Sequence, residues 1–434
     1  MAEAMFLGAA ANVQDFYERY PYPPAVENLD RYQSLWKDGQ LRRQDHHLFW
    51  PARPFREDHS ILVAGCGTSQ AGKYAMRWPA AQVTGIDFSA TSVRCTEELK
   101  QKYQLDNLQV RLLPVEQAGE LETQFDQIIC TGVLHHLADP VAGLRALRSV
   151  LEQNGAMLLM VYATYGRAGI YMMQEFCRRV GITATEKGVR ELVETLGALP
   201  VGHPLRALRD APDFHRTAAI ADALLNPHDR AYSVPQLFEF LKAGGFAFSR
   251  WVRQAPYSPR CGLAANVARA TQLEQLAPAE QFAAVELLRG TLARHSVIVR
   301  CDDSPDRTPD ITFDSDTYLE YVPIRVSDTI IVRERVPAGA AAVVINRTHS
   351  CTDLVLPVSA REARWFDAID GQRTIGEIVT SVDEHGAARE LFERLWWYDQ
   401  VVFDASHCAT SDRAVSGAPW EQQGYGARDA HLFT

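Results

Sequence analysis

Ile61-Leu62-Val63-Ala64-Gly65-Cys66-Gly67-Thr68-Ser69-Gln70-Ala71-Gly72 is the stretch that decides how the rest of the chain is read. Four consecutive apolar residues predict a strand buried on both faces, and the residues after them predict a sharp glycine turn and a helix start. Such a turn brings backbone close to a ligand and aims helix N–H groups at a carboxylate or phosphate. Two glycines alone are equally a tight turn in any doubly wound domain, so the flanking sequence must decide. A dinucleotide site asks for a third glycine three positions after Gly67, where Gln70 stands, which weakens that reading. Further on, Val83-Thr84-Gly85-Ile86-Asp87 ends a second apolar run on an acid. There a carboxylate can accept hydrogen bonds from both hydroxyls of a ribose; the alternative for Asp87 is a helix N-cap.

Outward from this pair, apolar runs recur at Val110 to Leu113, Gln127 to Cys130 and Met157 to Tyr162, with helix-length stretches such as Thr91 to Lys102 and Val141 to Leu151 between them. Strands alternating with helices predict βαβ units: an α/β fold with a doubly wound, mostly parallel seven-stranded sheet. After Tyr162 the alternation stops, and a helical insertion over about 163–236 is placed to shape a substrate site. Leu237 to Ala243 then reads as a helix stopped by Gly244-Gly245, followed by strands at Phe246 to Val252 and Ser296 to Arg300. We expect a segment 1–54 rich in aromatics, an α/β domain over 55–301, a linker at 302–312 with four aspartates and two prolines in 302–310, a small α+β domain over 313–405 and a polar tail at 406–434. In the small domain, Tyr318 to Val336 and Ala341 to Asn346 read as strands, and Ala360 to Ala368 and Ala387 to Tyr398 as helices.

Three motifs in this order resemble the class I S-adenosylmethionine-dependent methyltransferase family: Ala-Gly-Cys-Gly-Thr at 64–68, Gly-Ile-Asp-Phe-Ser at 85–89, and Phe125-Asp126 through Gly132-Val133-Leu134-His135-His136-Leu137-Ala138-Asp139-Pro140. The resemblance covers about 55–165 well and runs more loosely to about Arg300. It implies S-adenosylmethionine as cofactor and S-adenosylhomocysteine as product. It further implies Gly65, Cys66 and Gly67 beside the methionine part, Asp87 and Phe88 at the ribose, Val115 and Glu116 beside the adenine, and Thr131 and Gly132 along the same wall. Two positions depart from the family. Val63 stands where an acid often ends the first strand, and Pro114 where the adenine loop often has an aspartate. The segment from Leu354-Val355-Leu356-Pro357 through Trp365 to Ile378 is similar to small winged-helix modules that hold leader peptides.

For the acceptor, strand order puts His135, His136 and Tyr162 at the carboxyl edge where ligands bind. An imidazole there can take a proton from an O–H, N–H or S–H group, or simply open a helix and pack on the cofactor. Tyr165 and Arg167 can orient an acceptor or serve the core. Tyr17 and Tyr22, with Tyr20, can close over a sulfonium through cation attraction to ring faces, or pack as an N-terminal arm. Asp229, Arg230 and Tyr232 can read a substrate or cap the Leu237 helix. No metal-binding constellation is visible.

The 434 residues allow two or three domains, and 47% hydrophobic with 23% charged residues fits a soluble globular protein. A net charge of -10 provides no field to gather nucleic acid. Eight scattered cysteines without a C-x-x-C pair, a start without a basic signal region and no apolar run of roughly 18 residues point to a cytoplasmic protein without membrane spans. The expected function is methyl transfer to an O, N or S nucleophile of a small molecule. The alternatives are a peptide, protein or carrier-protein substrate delivered by the C-terminal domain, whose Trp396 and Trp397 would be exposed, or a non-catalytic interaction protein. A homodimer is left open.

Overall fold

The structure, a computed structural model, describes residues 16, 18, 24–26, 28–206, 216–304 and 311–408. Tyr17, Tyr20 and Tyr22 of the expected aromatic cap lie outside the described residues, as do 305–310 of the linker and 409–434 of the tail. No helix among the described residues is long and apolar enough to cross a membrane.

The apolar runs form a mixed sheet. Strands β1 (Ser60–Ala64), β2 (Gln82–Asp87), β3 (Leu108–Leu112), β4 (Phe125–Thr131), β5 (Leu151–Ala163), β7 (Phe246–Trp251) and β8 (Arg294–Cys301) lie in the order β3-β2-β1-β4-β5-β8-β7. The two-residue β6 (Ala231–Tyr232) pairs with the end of β5. Pairing is parallel from β3 to β5 and antiparallel on both sides of β8. Ile61, opposite Val83 and Gln127, is fully buried with Leu62 and Val63, as a strand covered on both faces requires. β3 begins two residues before the expected run and is half exposed, because it is the edge of the sheet.

The first unit contains helices α1 (Asp30–Leu35), α2 (Gly39–Phe49), α3 (Gln70–Arg77), α4 (Ala90–Tyr103) and α5 (Pro140–Val150). Local chemistry starts the last two. The Ser89 side chain accepts the Ser92 N–H, and Asp139 accepts those of Val141 and Ala142 with Pro140 in the first turn. The insertion supplies α6 (Ala168–Val180), α7 (Glu186–Gly197) and α8 (Thr217–Leu225), which bury Ile170, Met173, Leu192, Leu196, Ile220 and Leu224 in a core of their own. α9 (Val234–Ala243) opens with a capping box made by Ser233 and Gln236, so the helix cap considered for the Asp229 segment is Ser233.

The described residues divide into two compact units, one within 1–49, 55–257 and 285–304, the other within 50–54, 258–284 and from 311 on. Residues 258–284, expected inside the α/β domain, fall in the second. Their bonds explain it: Arg260 pairs with Glu393 at 2.7 Å, the Gly262 N–H donates to Tyr398 Oη at 3.1 Å, and the Leu263 N–H donates to the Asp353 carboxylate at 2.5 Å.

The second unit is α+β. β10 (Thr329–Val332), β11 (Ala342–Asn346) and β12 (Val355–Val358) form an antiparallel sheet, and β9 (Val322–Arg325) pairs with β13 (Val401–Asp404). Helices at Ala360–Asp367, Ile375–Ile378 and His385–Trp397 complete it around Phe313, Tyr318, Trp365, Phe366, Phe392 and Phe403. Tyr318 to Val336, expected as one strand, is a 3-10 turn at Asp316–Glu320 followed by two strands. The Thr329 N–H closes a tight turn on the Val326 carbonyl at 2.9 Å, with the turn-forming pair Ser327-Asp328 at its centre. Trp396 and Trp397, expected exposed, are half-buried, with Trp396 packed against this core.

Candidate active site

β1 leads into Gly65 (φ +68°) and Gly67 (φ +54°). A Cβ on Gly65 would stand 2.3 Å from Val133 Cγ2, so this position accepts only glycine. The turn is held from β2: Asp87 Oδ2 accepts the Gly67 N–H at 2.8 Å and Oδ1 accepts the Ser89 N–H at 2.9 Å. Asp87 is 5% exposed, and burial raises its carboxyl pKa. The Phe88 N–H adds a third bond to this carboxylate, whose oxygens can each accept more than once, so the residue fits the paired hydroxyls of a ribose. Gln70, in place of a third glycine, donates to Thr131 Oγ1 at 2.8 Å and ties α3 to the end of β4. Gly132 (φ +79°) follows.

Cys66 is fully buried, and burial pushes its thiol well above the usual range, so it is an inert wall residue. The Leu113 N–H donates to the Asp87 carbonyl at 2.9 Å and draws the following loop against β2. There Pro114 precedes a 3-10 turn, Val115–Leu121, with Val115 buried and Glu116 exposed. Phe88 is half-buried between Asp87 and Ser89. Val63 is fully buried, so β1 itself offers no acid. Glu18 was not singled out in the sequence. Its carboxylate accepts from Ser89 Oγ at 2.9 Å and Thr91 Oγ1 at 2.5 Å, and neighbouring Phe16 packs on Val189 and Ala221 of the insertion.

His135 and His136 lie in a 3-10 turn, Leu134–His136, after β4. His135 is 1% exposed, with its ring 4.0 Å from that of Tyr162 and 4.2 Å from that of His136. Burial, then the charges of His136 and Arg167, push its pKa well below the usual value, and neither ring nitrogen has a hydrogen-bond partner among the described residues. His136 Nδ1 lies 2.6 Å from the His228 carbonyl, which can only accept, so Nδ1 carries a proton. The Arg230 N–H donates to the His135 carbonyl at 3.1 Å. The loop before β6 is thus fastened to the histidine turn from both sides of Asp229.

Tyr162, near the end of β5, carries the Arg167 guanidinium 3.5 Å above its ring. Arg167 also pairs with Asp229 at 2.8 Å, their side chains 7% and 1% exposed, and donates to Tyr171 Oη at 3.2 Å. Its bonds are therefore internal ones. Tyr165 is exposed, whereas Tyr232 is buried, stacked 5.0 Å from Phe240 and bonded to the exposed Arg230. The structure therefore gathers His135, His136, Tyr162 and Arg167, and gives Asp229, considered as a substrate reader or helix cap, the task of fixing Arg167. One signal for Asp229 was available: Ser233-x-x-Gln236 is the better cap signature, which leaves Asp229 free for another task.

Residues 62–157 match the family model described as a methyltransferase domain. An uncharacterized protein of Synechococcus sp. is 28% identical over 64% of this chain and 68% of its own length. A ubiquinone biosynthesis O-methyltransferase of Xanthomonas campestris is 31% identical over 30% of this chain and 59% of its own. A tRNA U34 carboxymethyltransferase of Nautilia profundicola is 24% identical, and the chain spans 48% of its length. Among solved structures, PKMT2 from Rickettsia typhi shares the fold, with a TM-score of 0.63 over 88% of this chain and 77% of that one at 14% identity. The same protein in complex with AdoHcy superposes with a TM-score of 0.60.

Proposed function

From the premise that this chain carries a class I S-adenosylmethionine-dependent methyltransferase domain, we propose that it transfers the methyl group to an O, N or S nucleophile of a small molecule. The observation that carries this reading is His135: a buried, neutral imidazole with two unpartnered ring nitrogens beside Tyr162 at the carboxyl edge of the sheet. When bound, the cofactor supplies a sulfonium methyl that is already activated for displacement. His135 then accepts a hydrogen bond from the acceptor's O–H, N–H or S–H at a ring nitrogen and orients it, while the glycine turn and Asp87 hold the nucleoside and the surrounding burial excludes water. The net charge of -10 favours a small molecule over the RNA substrates named for some relatives.

Calorimetric titration of the protein with S-adenosylmethionine and S-adenosylhomocysteine tests the donor half. The wild type is expected to bind both. Asp87→Ala is expected to bind at least tenfold more weakly, since each lost bond to a charged acceptor is worth about 1.5–3 kcal/mol. Absence of binding to the wild type would remove the reading. A product screen of phenols, amines, thiols and short peptides then decides the acceptor class, with methylation of peptides alone overturning the small-molecule assignment.

A further inference from the structure

Beside the Arg167–Asp229 pair lies a cavity of about 770 Å³, within the range of small-molecule pockets. Its lining includes apolar groups of Phe16, Ile182, Leu224 and Leu225, together with Gln174 and Asp229. Asp229 Oδ2 accepts from Arg167 and from Gln174 Nε2, each at 2.8 Å. Oδ1 is buried and accepts nothing among the described residues. A buried acceptor left without a donor is costly, and a ligand hydroxyl or N–H would relieve that cost. The charge of Asp229 is already balanced by Arg167, and Glu175 on the same lining is paired with Arg178 and Arg179. Both carboxylates on the lining are thus answered by arginines, and Arg178, the cation on the same lining, points largely into solvent, where its charge is screened.

Resting on the methyltransferase reading, we propose that this cavity is the acceptor pocket and that it takes a neutral, largely apolar molecule whose O–H or N–H group is read by Asp229. Its connection to the chemistry is short. The residues on either side of Asp229 are bonded to the two histidines, His228 through its carbonyl to His136 and Arg230 through its N–H to His135. Asp229 also holds the guanidinium that lies on Tyr162, and Tyr162 in turn touches His135.

The test is a fluorescence titration of the full chain, saturated with S-adenosylhomocysteine, with three probes: 2-naphthol, 2-methoxynaphthalene and 2-(aminomethyl)naphthalene. The first has a donor, the second the same body without one, and the third a cation. The naphthol is expected to bind at least tenfold more tightly than the ether and more tightly than the amine. Ala184→Trp, which fills the cavity from its half-buried rim, is expected to abolish naphthol binding while S-adenosylhomocysteine affinity stays unchanged. Equal affinities for naphthol and ether, tightest binding of the amine, or naphthol binding unmoved by Ala184→Trp each overturn the proposal. Failure of the wild type to bind S-adenosylhomocysteine would instead strike the methyltransferase reading, whereas failure of the naphthol on loaded protein strikes the pocket alone.

Discussion

At His135 folding removes an imidazole from water and sets it against Tyr162, close to a second histidine and an arginine, so the proton it would carry in solution is expelled. A lowered folded pKa means that below the unfolded value of about 6.5 the unfolded chain binds the proton first. Stability is therefore full above that pH and lost as pH falls toward the folded pKa. His59, lowered by burial and then by Arg56, acts in the same sense. Denaturant melts at pH 7.5 and 5.5 should show the wild type losing stability on acidification, and His135→Phe losing less, by up to about 1.4 kcal/mol per pH unit in that window. An equal loss in both proteins would show that His135 is not the group protonated. Asp87 was legible from sequence because strand, turn and acid follow one another along the chain. The state of His135 was not, because beyond the adjacent His136 it is set by burial and by Arg167, which only the fold brings to it.

Among the elements, the glycine turn concentrates the constraints. An alanine at Gly65 must adopt a left-handed backbone costing roughly 1–2 kcal/mol and also overlap Val133. We expect Gly65→Ala to lower the melting temperature and weaken S-adenosylhomocysteine binding. Val133→Ala in the same chain should restore the part of the stability lost to the overlap and leave the backbone part. No recovery in the double variant would mean the overlap is not what costs. The strands β1, β2, β4 and β5 were readable because burial on both faces demands unbroken apolar residues. Edge strand β3 was read from the same rule but placed two residues late, since one of its faces is wet. The division of Tyr318 to Val336 into a turn and two strands escaped it for another reason: both strands are apolar and only the short turn at Val326 to Thr329 separates them.

On the scale of the whole molecule, the chain leaves the first unit after residue 257, gives 258–284 to the second, and returns at 285 to lay β8 between β5 and β7. Composition gave no sign of this excursion, because the residues that hold 258–284 in place, Asp353, Glu393 and Tyr398, lie far along the sequence. A strand that must arrive late matters while the protein is being made. From the emergence of β5 until β8 leaves the ribosome, β5 has a row of unpaired backbone groups on one side, the kind of edge that recruits other chains. At about 5–20 residues per second that interval is on the order of ten seconds. A full-length chain with Ser296→Pro and Ile298→Pro, whose β8 cannot pair with β5, should therefore aggregate, whereas the wild type should stay soluble and bind S-adenosylhomocysteine; soluble, binding-competent protein from the variant would refute this. Yield from a crowded polysome is then expected to depend on how long β5 waits for its partner, and slower growth or a holding chaperone should improve it without altering the stability of the finished sheet.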